Sequence, residues 1–293
     1  MGKWFHRNYL SFLLLLTLTS GIVIAINGFS YYTAPLKEKA FHSKHEDLKP
    51  SGKIGHGLGI VGTSMVIIGV VSYSSRKRLR LLSMAGNIRD WLNFHIFLCL
   101  TGPVLILFHT TFKFTGIAGV SMWSMIAVVL SGVIGRFIYI QIPRGIKGNE
   151  LTSFEIEEMR REIQNEIILN FPEINKQVLN QIDMILQFEK PKTLSFFSLV
   201  LLVLIDDLFI RRKKFYVVEK TLKTSGLPSK EIRKLLKLER QRYILMRKIA
   251  LLDTFKQVFK YWHVIHLPFT LIMFILLFIH VIVALTLGYK WVF

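Results

Sequence analysis

Between Trp91 and Phe114 the sequence reads WLNFHIFLCLTGPVLILFHTTFKF, 24 residues of helix length and strongly apolar character that also carry His95, His109 and Gly102. So long an apolar run has few places to go in water, whereas a hydrocarbon core about 30 Å thick takes about 20 residues of helix. The 14-residue step from His95 to His109 makes nearly four helical turns. At about 100° and 1.5 Å per residue, the two imidazoles leave the helix within roughly 40° of each other and about 21 Å apart. They share one face, one toward each edge of a membrane.

The rest of the chain is read against that constraint. Of its 293 residues, 52% are hydrophobic, concentrated in a few long runs, so an all-α, polytopic membrane bundle is expected rather than a soluble domain. The net charge of +19 suits anionic membrane lipid and positive-inside topology, and nucleic acid is not expected as a partner. Cys99 is the only cysteine, which excludes an internal disulfide and a CxxCH attachment site.

Lys3 and Arg7 precede an apolar segment from Tyr9 to Tyr32 that lacks a clear A-x-A cleavage site, so it reads as an uncleaved first span with a cytoplasmic N-terminus. A polar external loop follows, bearing His42 and His45. The second span, Gly55 to Tyr73, opens on closely spaced glycines that allow near approach to a neighbouring helix, with His56 at its outer end. The basic connection SSRKRLRLLSMAGNIRD marks the cytoplasmic side. The Trp91 helix then runs outward, placing His95 inside and His109 outside, and a fourth span, Ser121 to Ile142, returns with Gly132, Gly135 and Arg136.

From residue 143 to 260 the pattern becomes that of packed amphipathic helices. Thr152 and Glu155 match a capping box, and Ser229 caps a long helix with Ile232, Leu235 and Leu236 on its apolar face. Within this insertion, Asp206 and Asp207 limit the apolar run from Leu194 to 12 residues. The following segment, 211 to 260, holds 16 lysines and arginines against four acids, so residues 194 to 210 are expected to form an interfacial or buried cytoplasmic helix rather than a span. The expected organisation is spans one to four over 1–142, a helical cytoplasmic insertion over 143–260, and a fifth span over 261–293, bent at Pro268.

That last span contains WHVIHLPFTLIMFILLFIHV, in which His266 and His280 repeat the 14-residue step. His263 lies about 60° around the helix from His266. Four buried imidazoles without partners would cost several kcal/mol, and separate hydrogen-bonding roles do not require a repeated spacing. A haem iron takes two axial imidazoles, one from each of two facing helices. The expected cofactors are therefore two haem b groups, an inner one between His95 and His266 and an outer one between His109 and His280. Gly102 would leave room for the macrocycles; Arg136, Lys260 or Arg89 would serve the inner propionates and Lys113 or Lys290 the outer. His56 with His42 or His45 could hold a third haem, and His56, His263 or Asp206 could accept protons from a quinol.

The H-x13-H pairs, with SGVIGR and WHVIHLPF, resemble the di-haem b-type cytochromes of the ferric-reductase-like transmembrane superfamily, which includes ferric reductases and NADPH oxidases. The resemblance covers residues 55 to 142 and 261 to 290, and it implies relay of electrons across the cytoplasmic membrane through one haem per leaflet. The flavin- and nicotinamide-binding domain of those enzymes is not expected here, since the sequence reaches Phe293 soon after the last span. The expectation is an electron-transfer subunit of an oxidoreductase, with quinol or a redox protein inside and an exported cytochrome or metal-centre protein outside. A quinol-oxidising cytochrome b subunit of a respiratory complex and a haem-free transporter or scaffold are the alternatives.

Overall fold

The computed structural model describes residues 3–79, 81–82, 85–145, 150–172, 174–189 and 195–287. The chain is all-helical and divides into two compact units, one formed by 1–135 with 262–293 and the other by 136–261. These divisions fall seven residues before 142 and one after 260, because the last turns of the fourth apolar helix belong with the second unit, where Ile138 and Ile142 are buried.

The first unit contains α1 (Lys3–Asn27), the short α2 (Phe29–Thr33) and α3 (His45–Leu48), α4 (Lys53–Arg78), α5 (Ile88–His109) and most of α6 (Gly116–Gln141). It also takes the C-terminal part of α11 (Ser229–Thr286), which stays helical through Pro268. Among the described residues four helices are long and apolar enough to cross a membrane: those ending at Arg78, His109, Gln141 and Thr286. In α1 the stretch Ser11–Asn27 is apolar but shorter than those four. The outward faces carry large exposed side chains such as Leu18, Val61, Ile68, Val133 and Leu271, a surface suited to hydrocarbon rather than water.

Helix directions in this unit follow from specific contacts. Leu13 clusters with Phe97 and Leu98, Thr17 Oγ1 meets Thr101 Oγ1 at 2.7 Å, and Gly21 approaches Val104, so α1 and α5 run parallel. The hydroxyl pair supplies a polar tie in an otherwise apolar contact. Helix α4 is antiparallel to α5, in the register that sets Gly55, Gly62 and Gly69 opposite His109, Gly102 and His95. The glycines recur every seven residues, as do the α5 positions facing them, which is the repeat that keeps two helices in contact along a left-handed crossing. A Cβ at Gly62 would lie 2.7 Å from the Gly102 carbonyl oxygen, and one at Gly102 would lie 2.6 Å from that of Gly62. Only glycine permits this backbone approach.

The second unit is built from α7 (Ser153–Asn170), α8 (Lys176–Leu186), α9 (Phe196–Ile205), α10 (Arg211–Thr224) and the N-terminal part of α11. The capping box forms as the sequence predicts: Thr152 Oγ1 accepts from Glu155 N–H at 3.2 Å, and the Glu155 carboxylate accepts from Thr152 N–H at 2.7 Å. Its core gathers Ile167, Ile182, Leu186, Val218, Leu222 and Leu235, all at most 1% exposed. The apolar stretch before Arg211 forms α9, whose 10 residues reach about 15 Å, half the thickness of a hydrocarbon core.

A π-helical turn, Asp206–Ile210, follows α9. Asp206 is 2% exposed; it accepts from Arg247 Nη1 at 2.7 Å and from the Tyr243 hydroxyl at 2.5 Å. Asp207 accepts from the same Arg247 nitrogen at 2.8 Å and pairs with Arg211. Asp206 is thus committed to a buried ionic network, which removes it from the residues expected to take protons from a quinol. Deeper along α11, Arg242 binds Glu239, Asp183 and Gln164.

Candidate cofactor site

The α4–α5 register has a chemical consequence at both ends of α5. The His95 Nδ1–H donates to the Gly69 carbonyl at 2.9 Å, and the His109 Nδ1–H donates to the Gly55 carbonyl at 2.8 Å. A carbonyl can only accept, so both rings are held as the tautomer that carries its proton on Nδ1. Nε2 is left as the bare lone-pair nitrogen on each ring. An N–H of a metal-binding imidazole anchored on a backbone carbonyl is the usual outer support that fixes ring orientation.

Other groups pack these rings. Tyr73 stacks on His95 with centroids 5.3 Å apart, and Cys99 Sγ lies 3.6 Å from His95 Nδ1. A Cβ at Gly59 would come within 2.9 Å of His109 Nδ1, so the absence of a side chain there admits the imidazole. Beyond His109 the chain turns through Thr111 and Phe112, both with positive φ. The buried Lys39 ammonium donates to the Thr111 carbonyl at 3.1 Å and ties the 33–53 loop to this end of α5. Left-handed backbone at two non-glycine residues costs about 1–2 kcal/mol each, which such a tie helps offset.

The facing pair comes from α11. His266 interacts electrostatically with His95 and His263, and His109 with His280 and His56. His266 Nδ1 lies 3.0 Å from Ser131 Oγ, and the Trp262 indole stacks on the His266 ring at 4.7 Å. That indole N–H donates to the Ser131 carbonyl at 2.8 Å. It also fills the space beside Gly135, where a Cβ would meet Trp262 at 2.1 Å.

The helices bearing the two histidine pairs differ in how they are packed. In the most apolar window of α5, 44% of the residues are buried, against 6% in that of α11. Between His266 and His280, Met273 is buried against Val66, Met122 and Met125. Among the described residues no set of three or more His, Cys, Asp or Glu side chains is placed to hold a bare ion. The pairs offer two imidazoles each, the number that a haem iron takes axially. Anchored Nδ1–H groups on α5 and a histidine of α11 near each of them fit a bis-imidazole ligand set.

One other sequence-based assignment changes. Gly102 faces α4, where Gly62 and Val66 occupy the space beside it, so its missing side chain serves helix approach rather than room for a macrocycle. Arg136 falls in the second unit with its guanidinium over the Tyr139 ring, and Lys260 belongs to that unit too. Arg89 and Lys113 are exposed near opposite ends of α5, and Lys290 lies outside the described residues.

His56 sits at the level of His109, edge-on to it at 6.3 Å between centroids, and acts electrostatically on His280. His42 is engaged at both ring nitrogens, accepting from Lys44 N–H at Nδ1 and meeting Ser30 Oγ at Nε2; His45 Nδ1 meets the Tyr31 hydroxyl. His263 packs edge-on against Trp262.

Sequence reasoning passed over Ser131, Tyr73, Trp262 and the two carbonyl acceptors. The signal for the acceptors was present, because Gly55 and Gly69 are separated by the same 14 residues as His95 and His109. Compared with protein-family models, with curated proteins and with solved structures, the chain matches none.

Proposed function

We propose that this chain is a membrane-embedded electron-transfer subunit holding two haem b groups, one between His95 and His266 and one between His109 and His280. The observation that carries the reading is the matched register: two imidazoles 14 residues apart, each keyed through Nδ1–H to a glycine carbonyl of α4. Each also stands at the level of a histidine on α11. Bound haem supplies one-electron exchange between ferric and ferrous iron. The protein supplies axial nitrogens, ring orientation and exclusion of water. Gly55 and Gly69 hold the two α5 ligands in one tautomer, and Ser131 with Trp262 orients His266.

In this reading all five apolar helices span the cytoplasmic membrane. The parallel pair α1 and α5 and the antiparallel α4 support the alternation of spans. The basic second unit lies on the cytoplasmic side with the N-terminus, as positive-inside bias favours. Electrons pass between an inner donor, a quinol or redox protein, and an outer acceptor protein or metal centre.

The decisive measurement is pyridine-haemochrome quantitation on the purified full-length chain. About two non-covalent b-type haems per chain are expected; a preparation with none, and no reduced b-type bands, would falsify the proposal. Gly59→Ala refines it. Because the new methyl would press on the His109 ring and touch neither His95 nor His266, the outer haem should shift in spectrum and potential while the inner one stays unchanged. Equal disturbance of both would contradict the assignment of His109 to its own site.

A further inference from the structure

The second unit turns the charges of its most apolar stretch inward and leaves the hydrophobic residues outside. Phe197 is 82% exposed, Leu201 57%, Leu208 49% and Phe209 68%. Their neighbours Leu199 and Val203 are fully buried, and Asp206 is locked to Arg247 and Tyr243. The π turn is what makes this possible. Its wider turn carries one residue more than an α-helical turn. Asp206 is buried on Arg247, and Asp207, 34% exposed, bridges Arg247 and Arg211, while Leu208, Phe209 and Ile210 stay on the outer face. No charged residue occurs from Phe196 to Ile205, and the face ends at the exposed cations Arg212 and Lys213.

We propose that this face is a lipid-docking surface, seated in the headgroup and acyl boundary of an anionic leaflet. Helix α9 is too short to cross, and an apolar stripe bordered by cations is the pattern of a helix that lies in the interface plane. Charge selects the occupant. Residues 211–260 carry 16 lysines and arginines against four acids, so anionic headgroups are attracted, whereas a second copy of the chain would bring the same excess of positive charge against itself. The inference rests on the reading that the chain crosses a bilayer with this unit on the cytoplasmic side, and is independent of the haems.

The test uses the full-length chain in nanodiscs, with Phe197→Cys, Leu201→Cys, Leu208→Cys or Lys213→Cys introduced singly beside the native Cys99, labelled with a nitroxide and read against the labelled parent chain. In discs containing phosphatidylglycerol, the first three labels should be relaxed several-fold more by oxygen than by a water-soluble nickel chelate, with the reverse at Lys213→Cys. In discs of phosphatidylcholine alone that preference should fall several-fold. The proposal is overturned if the first three labels favour the nickel chelate in both lipids, or if the preference is the same without anionic lipid. Dipolar broadening between labels of two copies would overturn it in favour of self-association. Haem content measured on the same discs separates the two readings, since full haem with water-exposed labels would sink the docking surface alone.

Discussion

Under the proposed pairing, replacing His266 with alanine is expected to leave about one haem per chain where about two are proposed for the parent. His95→Ala should give the same residual spectrum, because both substitutions remove a ligand of the same inner iron. His109→Ala and His280→Ala should give the complementary one. Within a pair the effects should not add: His95→Ala with His266→Ala together should lose no more haem than either alone, since residues acting as one unit are strongly non-additive. Combining one substitution from each pair should remove both haems. Retention of two haems in His266→Ala, or four different residual spectra, would refute the level-matched pairing. His263→Ala provides the contrast, since its ring packs against Trp262 and is assigned to neither iron, so haem content should stay at the parent value.

Arg247→Met is expected to be the most damaging single substitution in the second unit. Arg247 and Asp206 are 5% and 2% exposed at their side chains, and removing one partner of such a buried pair costs about 3–5 kcal/mol because the other charge is stranded. The readout is tryptic cleavage within 211–260, where 16 Lys and Arg sites are distributed. If cleavage follows transient opening, its rate should rise about a hundredfold or more. Asp206→Leu combined with Arg247→Met removes both charges and should recover much of the loss, because well-packed apolar replacements of buried pairs are often close to neutral. An unchanged rate in Arg247→Met would show that the network contributes little.

Much of the first unit was legible as sequence because hydrocarbon imposes a severe rule. Every backbone polar group there must be satisfied within the helix, so a long apolar run such as Trp91 to Phe114 leaves little choice of secondary structure. Helical geometry then made the face shared by His95 and His109 readable from spacing alone. The assignments that changed concern direction around a helix axis. Gly102 lies between the two histidines in sequence and was assigned to the cofactor, yet its bare face meets Gly62. Asp206 looked like a break in an apolar run and a possible proton acceptor. Its role depends on Arg247, 41 residues away, which local pattern does not reveal.

By itself, then, the sequence determined helix, apolarity and the repeated 14-residue step, because these depend on local backbone geometry and on transfer from water to hydrocarbon. Only the tertiary structure decided which groups those histidines meet. The antiparallel register of α4 on α5 brings Gly69 and Gly55 carbonyls to their Nδ1 atoms, and the closure of Asp206 and Asp207 on Arg247 turns an interrupted apolar run into a charge-free outer face. The physical reason is the same in both places: a hydrogen bond or a buried charge is satisfied only by a partner within about 3 Å, and chain folding, not sequence spacing, sets that distance.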